Sequence, residues 1–534
     1  MRLRALELFL LGAGLRGIPE LIVRTYPVGY DTMAHYTWNI IAYPNTSLIE
    51  QLREAPLFYM LAWISIQAPG LDVFTYLKMA GPLMYGITCA SLYFFFVKAC
   101  RLDEHKSLIA AVLFAVQLAA LRISWDMLRL ELGLIFAFLA LGIEQMKTRI
   151  GGLAVPILAV LCVMSNQIAA VVLLFTAGCL TISNSSNWKR HVIMYLPALL
   201  AFGAEAYVTF FVAPFQDPRI LELGQKPWGL LMGYLESDPR LLAGSYLTMA
   251  RNIAVLTLFC FILLSPFILK GFVRNRMLDP ILVLTAVGSF SPLVLPWVST
   301  PIVYWRWIFL LAVPFAAYAA SGLEKFRLTR QKLGFALVLL LLGGVAVGYA
   351  SGTLPLRQAY FTLTGTEHVP PNPNGIGGFN ALQVLNTYMP ASLASNSIAA
   401  EDVTRTSEDT VGALKWLNAH AETNSCLLVE ERFHGLTMMY VDSGVKIALY
   451  GALFPVSKVL EDPSVHTCQH IYLLWYSGLR ISNFVPIQKT GTMTIYQYAV
   501  SDAGSWSTWP CTCDGSRVCG GAFWFVPSVT RVSR

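Results

Sequence analysis

The sequence predicts a mainly α fold: a polytopic membrane bundle of about eleven transmembrane helices with a C-terminal extracytoplasmic α/β domain. Three observations predict it. Hydrophobic residues fill 56% of the 534 positions and charged residues only 13%, against roughly 25% charged in an average soluble domain. Apolar runs of about 20 residues recur from Leu6 to Ala350, each long enough to cross a hydrocarbon core about 30 Å thick. After Ala350 the texture changes: Pro370-Pro371-Asn372-Pro373-Asn374-Gly375 breaks the pattern and the long apolar runs stop. We therefore expect a membrane domain over 1–352 and a water-exposed domain over 353–534.

Charge placement sets the expected topology. Lys98, Arg101 and Lys106, then Lys147 and Arg149, then Lys189 and Arg190 lie in short loops between apolar runs. Lys270, Arg274 and Arg276 follow, and then Lys325, Arg327, Arg330 and Lys332. These share one side with Arg2 and Arg4 if the spans are 5–23, 73–97, 107–122, 130–146, 152–165, 167–183, 191–212, 252–270, 279–297, 303–321 and 333–351. The positive-inside rule then puts the N-terminus in the cytoplasm and the C-terminal domain outside, on an integral plasma-membrane protein. The scheme requires that Pro56-Leu57-Phe58-Tyr59-Met60-Leu61-Ala62-Trp63 lie at the interface, as a stretch of about 13 residues suits. It sits within a long first outer loop, 24–72.

The first apolar run opens on basic residues like a signal peptide, but it holds Arg16 and Glu20 and lacks a small-residue cleavage site before Pro19. It reads as a retained span, with Arg16 and Glu20 spaced to pair on one helix face. The expected cytoplasmic loops are short and plain, whereas the outer side gathers unusual residues. There lie Asp31 and His35, one helical turn apart after Pro27; Glu54; Asp126, Arg129 and Glu131; Asn166 and Gln167; and Tyr304-Trp305-Arg306-Trp307. Ionisable groups beside a bilayer are costly and tend to mark function. For Asp31 and Asp126 the competing role is a helix N-cap.

Several of these segments resemble the GT-C superfamily of integral-membrane glycosyltransferases, over approximately residues 5–330. Gly29-Tyr30-Asp31 is similar to the acidic residue that those enzymes carry just after the first span. Ala55-Pro56-Leu57-Phe58-Tyr59 resembles their Pro-Leu-hydrophobic-Tyr segment, and Trp125 to Gly133 the Arg-bearing start of a later helix. Tyr304-Trp305-Arg306-Trp307, continuing from Pro314 to Leu323, is similar to their last well-marked span. Departures are equally visible. Thr32 follows Asp31, so neither Asp-Glu nor Asp-x-Asp is present; Asn166 stands where some members have His; and no Trp-Trp-Asp-Tyr-Gly-like segment occurs.

The resemblance implies transfer of a sugar from a polyprenyl- or dolichyl-phosphate donor to a glycan, lipid or protein acceptor, in cell-envelope assembly or protein glycosylation. In that chemistry Asp31 is the expected general base, with His35 beside it. Arg129 and Arg306 are the expected phosphate clamps, with Arg251 and Lys226 as secondary candidates. Glu54, Asp126 and Tyr304 complete the expected substrate-binding set. The competing role for each cation is snorkelling to headgroups. A divalent metal on Asp31, His35 and Glu54 would have an incomplete shell, so the sequence requires no cofactor. Trp125, Trp228, Trp305 and Trp307 fit either sugar stacking or interfacial anchoring.

Beyond 352, helical spacing runs from Ser407 to Ala421. Strand-like runs follow at Cys426–Val429, Val445–Leu449, Ile471–Leu474 and Met493–Tyr496. This part has 11 basic and 13 acidic residues, so the +7 surplus belongs to loops beside the inner leaflet, which argues against nucleic acid as a partner. Cys426, Cys468, Cys511, Cys513 and Cys519 are available for disulfides there. Asn45-Thr46-Ser47 is an outer-side glycosylation sequon. A flippase or transporter for a lipid-linked sugar, and a polysaccharide ligase or polymerase, are the alternative functions. The sugar and the acceptor are not specified by the sequence.

Overall fold

A computed structural model of the chain describes residues 2–22, 25–27, 29, 32–146, 148–183, 188–212, most of 250–295, 304–325, positions 334 and 338, and most of 400–499. Asp31, Lys226, Trp228, Arg251, the expected last span 333–351 apart from positions 334 and 338, and Cys511, Cys513 and Cys519 lie outside the described residues. The fold is mostly helical with one small sheet.

The bundle begins with α1 (Arg2–Ile22). A π-helical turn (Thr32–Tyr36) leads into the loop helices α2 (Thr37–Ala42), α3 (Leu48–Arg53) and α4 (Leu57–Ser65). Then come α5 (Val73–Lys98), α6 (Glu104–Val116), α7 (Leu118–Asp126), α8 (Leu128–Glu144), α9 (Arg149–Ser165), α10 (Gln167–Ser183) and α11 (Trp188–Tyr207). Helices α12 (Ser265–Gly271), α13 (Leu278–Val294), α14 (Tyr304–Leu310) and α15 (Ala312–Lys325) complete it. By length and composition, Val73–Lys98 and Tyr304–Lys325 are long and apolar enough to cross a membrane. The α6–α7 pair is a third if counted as one broken span.

Two expected spans are interrupted. The stretch 107–122 bends by 61° between α6 and α7, because Gln117 adopts extended backbone (φ −73°, ψ 135°). The stretch 252–270 breaks at a turn over 262–264. Sequence hydropathy sees neither break, since apolar residues continue on both sides. The separation of α9 from α10 at Asn166 does occur. Its Oδ1 accepts from the backbone N–H groups of Ile168 (2.9 Å) and Ala169 (3.3 Å), capping α10. On α5, Met79, Leu83 and Ile87 form an exposed stripe at helical spacing while Leu77, Met84 and Tyr85 turn inward. A lipid-facing helix shows this pattern, with apolar residues on both faces.

Two sets of buried charges inside the bundle are paired. Arg16 Nη1 lies 2.6 Å from Glu20 Oε1, and both side chains are buried. Lys78 Nζ sits 3.9 Å from the other Glu20 oxygen and donates to the Glu20 carbonyl at 2.7 Å. The guanidinium reaches this position because residue 81 is glycine; a Cβ there would stand 2.9 Å from Nη2. A second buried set joins α8 to α11: His191 Nδ1 is 2.5 Å from Glu144 Oε1, and the Tyr195 hydroxyl donates to Glu144 Oε2 at 2.9 Å.

The α/β region comprises α16 (Ala400–His420), β1 (Ser425–Glu430), α17 (His434–Tyr440), β2 (Val445–Tyr450), α18 (Pro463–His466), β3 (His470–Tyr476), β4 (Phe484–Thr490) and β5 (Met493–Tyr498). The sheet order is β2-β1-β3-β5-β4. The first three strands are parallel, with Leu427 opposite both Ile447 and Tyr472; β5 and β4 are antiparallel. Sequence patterning misses β4, whose Pro486 sits at a register shift on the sheet edge. Cys426 and Cys468 form a disulfide with a Cα–Cα separation of 5.8 Å.

A variant pair tests the Arg16–Glu20 interaction. Glu20→Ala is expected to destabilise the protein by about 3–5 kcal/mol, because it strands a buried guanidinium. Arg16→Met combined with Glu20→Leu is expected to recover only part of that loss, because the buried Ser124 carbonyl then lacks its Arg16 donor; the readout is the thermal unfolding midpoint in detergent.

Candidate active site

The last-turn carbonyls of a helix have no partner within it, and when buried they must find a donor elsewhere. At the end of α7 two of them are taken by side chains distant in sequence. Arg16 Nε donates to the Ser124 carbonyl at 3.2 Å, and the Thr32 hydroxyl donates to the Trp125 carbonyl at 2.7 Å. Thr32 immediately follows Asp31, and Trp125 immediately precedes Asp126. The structure thereby brings the flank of the expected base to the break between α7 and α8. The Met33 N–H bonds the Gly29 carbonyl at 3.2 Å, and Thr37 Oγ1 bonds the Met33 carbonyl at 2.8 Å. Gly29 has φ 122°, a conformation that favours glycine.

Arg129 is the second residue of α8 and is held by the first loop. Its Nη1 is 3.2 Å from Glu54 Oε2, and its Nη2 donates to the Glu54 carbonyl. The guanidinium carbon lies 5.2 Å from the centroid of the Tyr59 ring. The Arg129 backbone N–H meets the Tyr36 hydroxyl at 3.5 Å, so the turn carrying His35 touches the same helix start. Arg129 Nε is buried and has no hydrogen-bond partner among the described residues. Beside it, Gln167 Nε2 donates to the Arg53 carbonyl (3.1 Å) and to the Glu205 carboxylate. Sequence reading passed over Glu205; the available signal was one carboxylate inside the apolar run from Ala198 to Val212.

The residues around 304 are placed differently. Helix α14 packs against α7 and α13. Tyr304 is buried with its ring edge-on to Trp305 at 5.2 Å. Arg306 is half-buried, and among the described residues it forms no ion pair. Trp307 packs on Gly288, where a Cβ would meet the indole at 2.4 Å. Trp125 is also fully buried. These two indoles are core residues and not open sugar platforms.

The α/β region contributes a residue that sequence reading also missed. Helix α17 packs on the Thr32–Tyr36 turn and on α2, bringing His434 into electrostatic contact with His35. Burial, then the neighbouring His35 imidazole, pulls His434 down to about 4. Its sequence context, Phe433-His434-Gly435, carries no recognisable motif. No group of three or more His, Cys, Asp or Glu side chains among the described residues is arranged to hold a metal ion.

No protein-family model and no curated protein sequence matches the chain. Solved structures do match. ArnT from Cupriavidus metallidurans bound to undecaprenyl phosphate aligns over 93% of this chain and 98% of its own, at 11% identity and a TM-score of 0.44. The apo state of that protein aligns over 90% and 95%, at 10% identity and a TM-score of 0.45. The apo oligosaccharyltransferase from Archaeoglobus fulgidus aligns over 88% and 69%, at 12% identity and a TM-score of 0.43. Likeness at these TM-scores describes shape alone, so the functional reading rests on the residues.

A pH prediction follows from His434. Its folded pKa lies below the ordinary 6.5, so below pH 6.5 protons bind the unfolded form preferentially. The stabilisation is complete above pH 6.5 and is lost as pH falls toward about 4. The thermal midpoint is expected to drop between pH 7 and 4.5, and His434→Gln is expected to flatten that drop. A second prediction concerns Glu54: its carboxylate is 38% exposed and its backbone carbonyl still holds Arg129, so Glu54→Ala is expected to cost about 1 kcal/mol of stability, read as the thermal midpoint.

Proposed function

We propose that the chain is a multi-pass membrane glycosyltransferase that moves a sugar from a polyprenyl-phosphate donor to an acceptor at the outer face of the membrane. One observation carries the reading. The turn flanking Asp31, the loop carboxylate Glu54 and the buried Arg129 converge on the α7–α8 break, at one end of an apolar bundle. A substrate with a polyprenyl tail and a sugar phosphate head needs such a site, where lipid meets water.

In this reading about eleven spans place the N-terminus in the cytoplasm and the α/β domain outside. The Cys426–Cys468 disulfide supports the outer placement, since disulfides persist in oxidising compartments. The acceptor hydroxyl attacks the anomeric carbon while the bond from that carbon to the phosphate oxygen breaks. Asp31 takes the hydroxyl proton, and the polyprenyl phosphate leaves as an anion. Fixed cations lower the cost of the charge that develops on it. Arg129 Nε, without a hydrogen-bond partner among the described residues, is proposed to meet a phosphate oxygen, while Arg306 and Arg251 are the remaining candidate cations. Glu54 holds Arg129 in place, and Tyr304, Asp126 and His35 complete the proposed site.

A transporter for the same lipid-linked sugar is the second reading, favoured by the buried Arg16–Glu20–Lys78 and Glu144–His191 sets inside the bundle. One assay separates the two: sugar transfer from a polyprenyl-phosphate sugar in proteoliposomes holding the full chain. Asp31→Asn is expected to lower the transfer rate by about 10²–10⁴-fold. Full activity in that variant would remove Asp31 as the base. Translocation of the donor with no transfer in the unaltered chain would establish the transporter.

A further inference from the structure

The short loop segment that contains Asp31 is anchored at both ends in the α/β domain. Tyr26 and Met33 are buried in the same apolar cluster as Leu427, Leu436 and Leu473 of that domain. The Tyr26 ring stands edge-on to Phe74 at 5.0 Å, and its hydroxyl is hydrogen-bonded with Tyr440 on α17. Thr25 Oγ1 donates to Glu408 Oε1 at 3.2 Å. On the far side of Asp31, α17 lies on the Thr32–Tyr36 turn, with His434 facing His35 and Met439 packed beside the Tyr36, Phe58 and Tyr59 cluster.

This arrangement has a physical consequence. A loop free to sample many conformations holds a carboxylate in the reactive geometry only part of the time, and ordering its backbone costs conformational entropy. Anchors on both sides meet that cost before substrate arrives. Displacement of a catalytic group by about 1 Å is enough to slow a reaction about a hundredfold.

The geometry points to Tyr440 and His434 as positioning residues, through which the α/β domain fixes the Asp31 segment for the transfer step. This rests on the reading of Asp31 as the base. The two residues act on the loop from opposite sides of Asp31, Tyr440 through Tyr26 and His434 through His35. The α/β domain would thereby act on the transfer step through the segments on either side of Asp31.

The test uses the full chain in proteoliposomes and two independent readouts, hydrogen exchange of residues 25–36 and transfer kinetics. Tyr440→Ala is expected to raise exchange in 25–36 at least about tenfold and to lower kcat about ten- to a hundredfold. The donor KM should stay within about twofold, and Tyr440→Phe, which keeps the packed ring but loses the hydrogen bond to Tyr26, should lower kcat less than Tyr440→Ala does. Thr25→Val removes only the exposed contact with Glu408. It should loosen the segment and slow transfer more mildly, with the α/β domain intact. His434→Gln should act in the same direction as Tyr440→Ala. Unchanged exchange in all three variants would overturn the anchoring, and raised exchange with unchanged kcat would overturn the positioning role. Full activity in Asp31→Asn is the separate outcome that overturns the base assignment, and it leaves the anchoring to be decided by exchange.

Discussion

Buried carbonyls at the end of α7 are the constraint on which the rest of this structure depends. A helix that stops inside an apolar bundle leaves acceptors that neither lipid nor water can satisfy there. Ser124 and Trp125 present two of them in succession, and Arg16 and Thr32 answer. The first bond draws α1 against α7, and through Glu20 and Lys78 it draws α5 into the same knot. The second draws the long first loop down onto the α7–α8 break. Each is local, yet together they decide which end of the bundle carries the polar residues.

The same logic governs Arg129. Its guanidinium is too costly to bury alone, and the loop supplies both the carboxylate and the carbonyl of Glu54 together with the face of Tyr59. Pairing of this kind gives the loop helix α4 a fixed seat against α8 and α9, while α3 packs against α11. The seat is structural, but it also concentrates Glu54, Arg129, Gln167 and Glu205 at one spot. The proposed site for an anionic lipid-linked donor is thus made of groups already held by the demands of burial.

Much of the membrane part was legible in the sequence. The apolar runs gave most helices, and the four-residue spacing of Arg16 and Glu20 anticipated their pairing. Asn166, a good N-cap between two apolar runs, marked the α9–α10 break. The breaks at Gln117 and at 262–264 were not legible, because hydropathy is continuous across them and tertiary packing chooses the bend. In the α/β region four strands announced themselves by β-branched and aromatic content. The edge strand β4 did not, since Pro486 and exposed polar residues mask its alternation. The site divides similarly: Glu54 and Arg129 were visible as charges in apolar surroundings, whereas Glu205 and His434 acquire meaning only from their neighbours.

The sequence by itself determined the class of protein, because composition and run length leave a chain this apolar no soluble alternative. It also determined that the polar residues near Asp31, Arg129 and Arg306 needed an explanation. Only the tertiary structure decided which of them meet. Arg129 is joined to the first loop and to the turn carrying His35, while Arg306 stands on a separate helix packed against α7. It also decided that the α/β domain grips the loop on both sides of Asp31. Spacing along a chain fixes which side chains share a helix face, but contacts between segments hundreds of residues apart are set by how buried polar groups find partners and how apolar surfaces close over them.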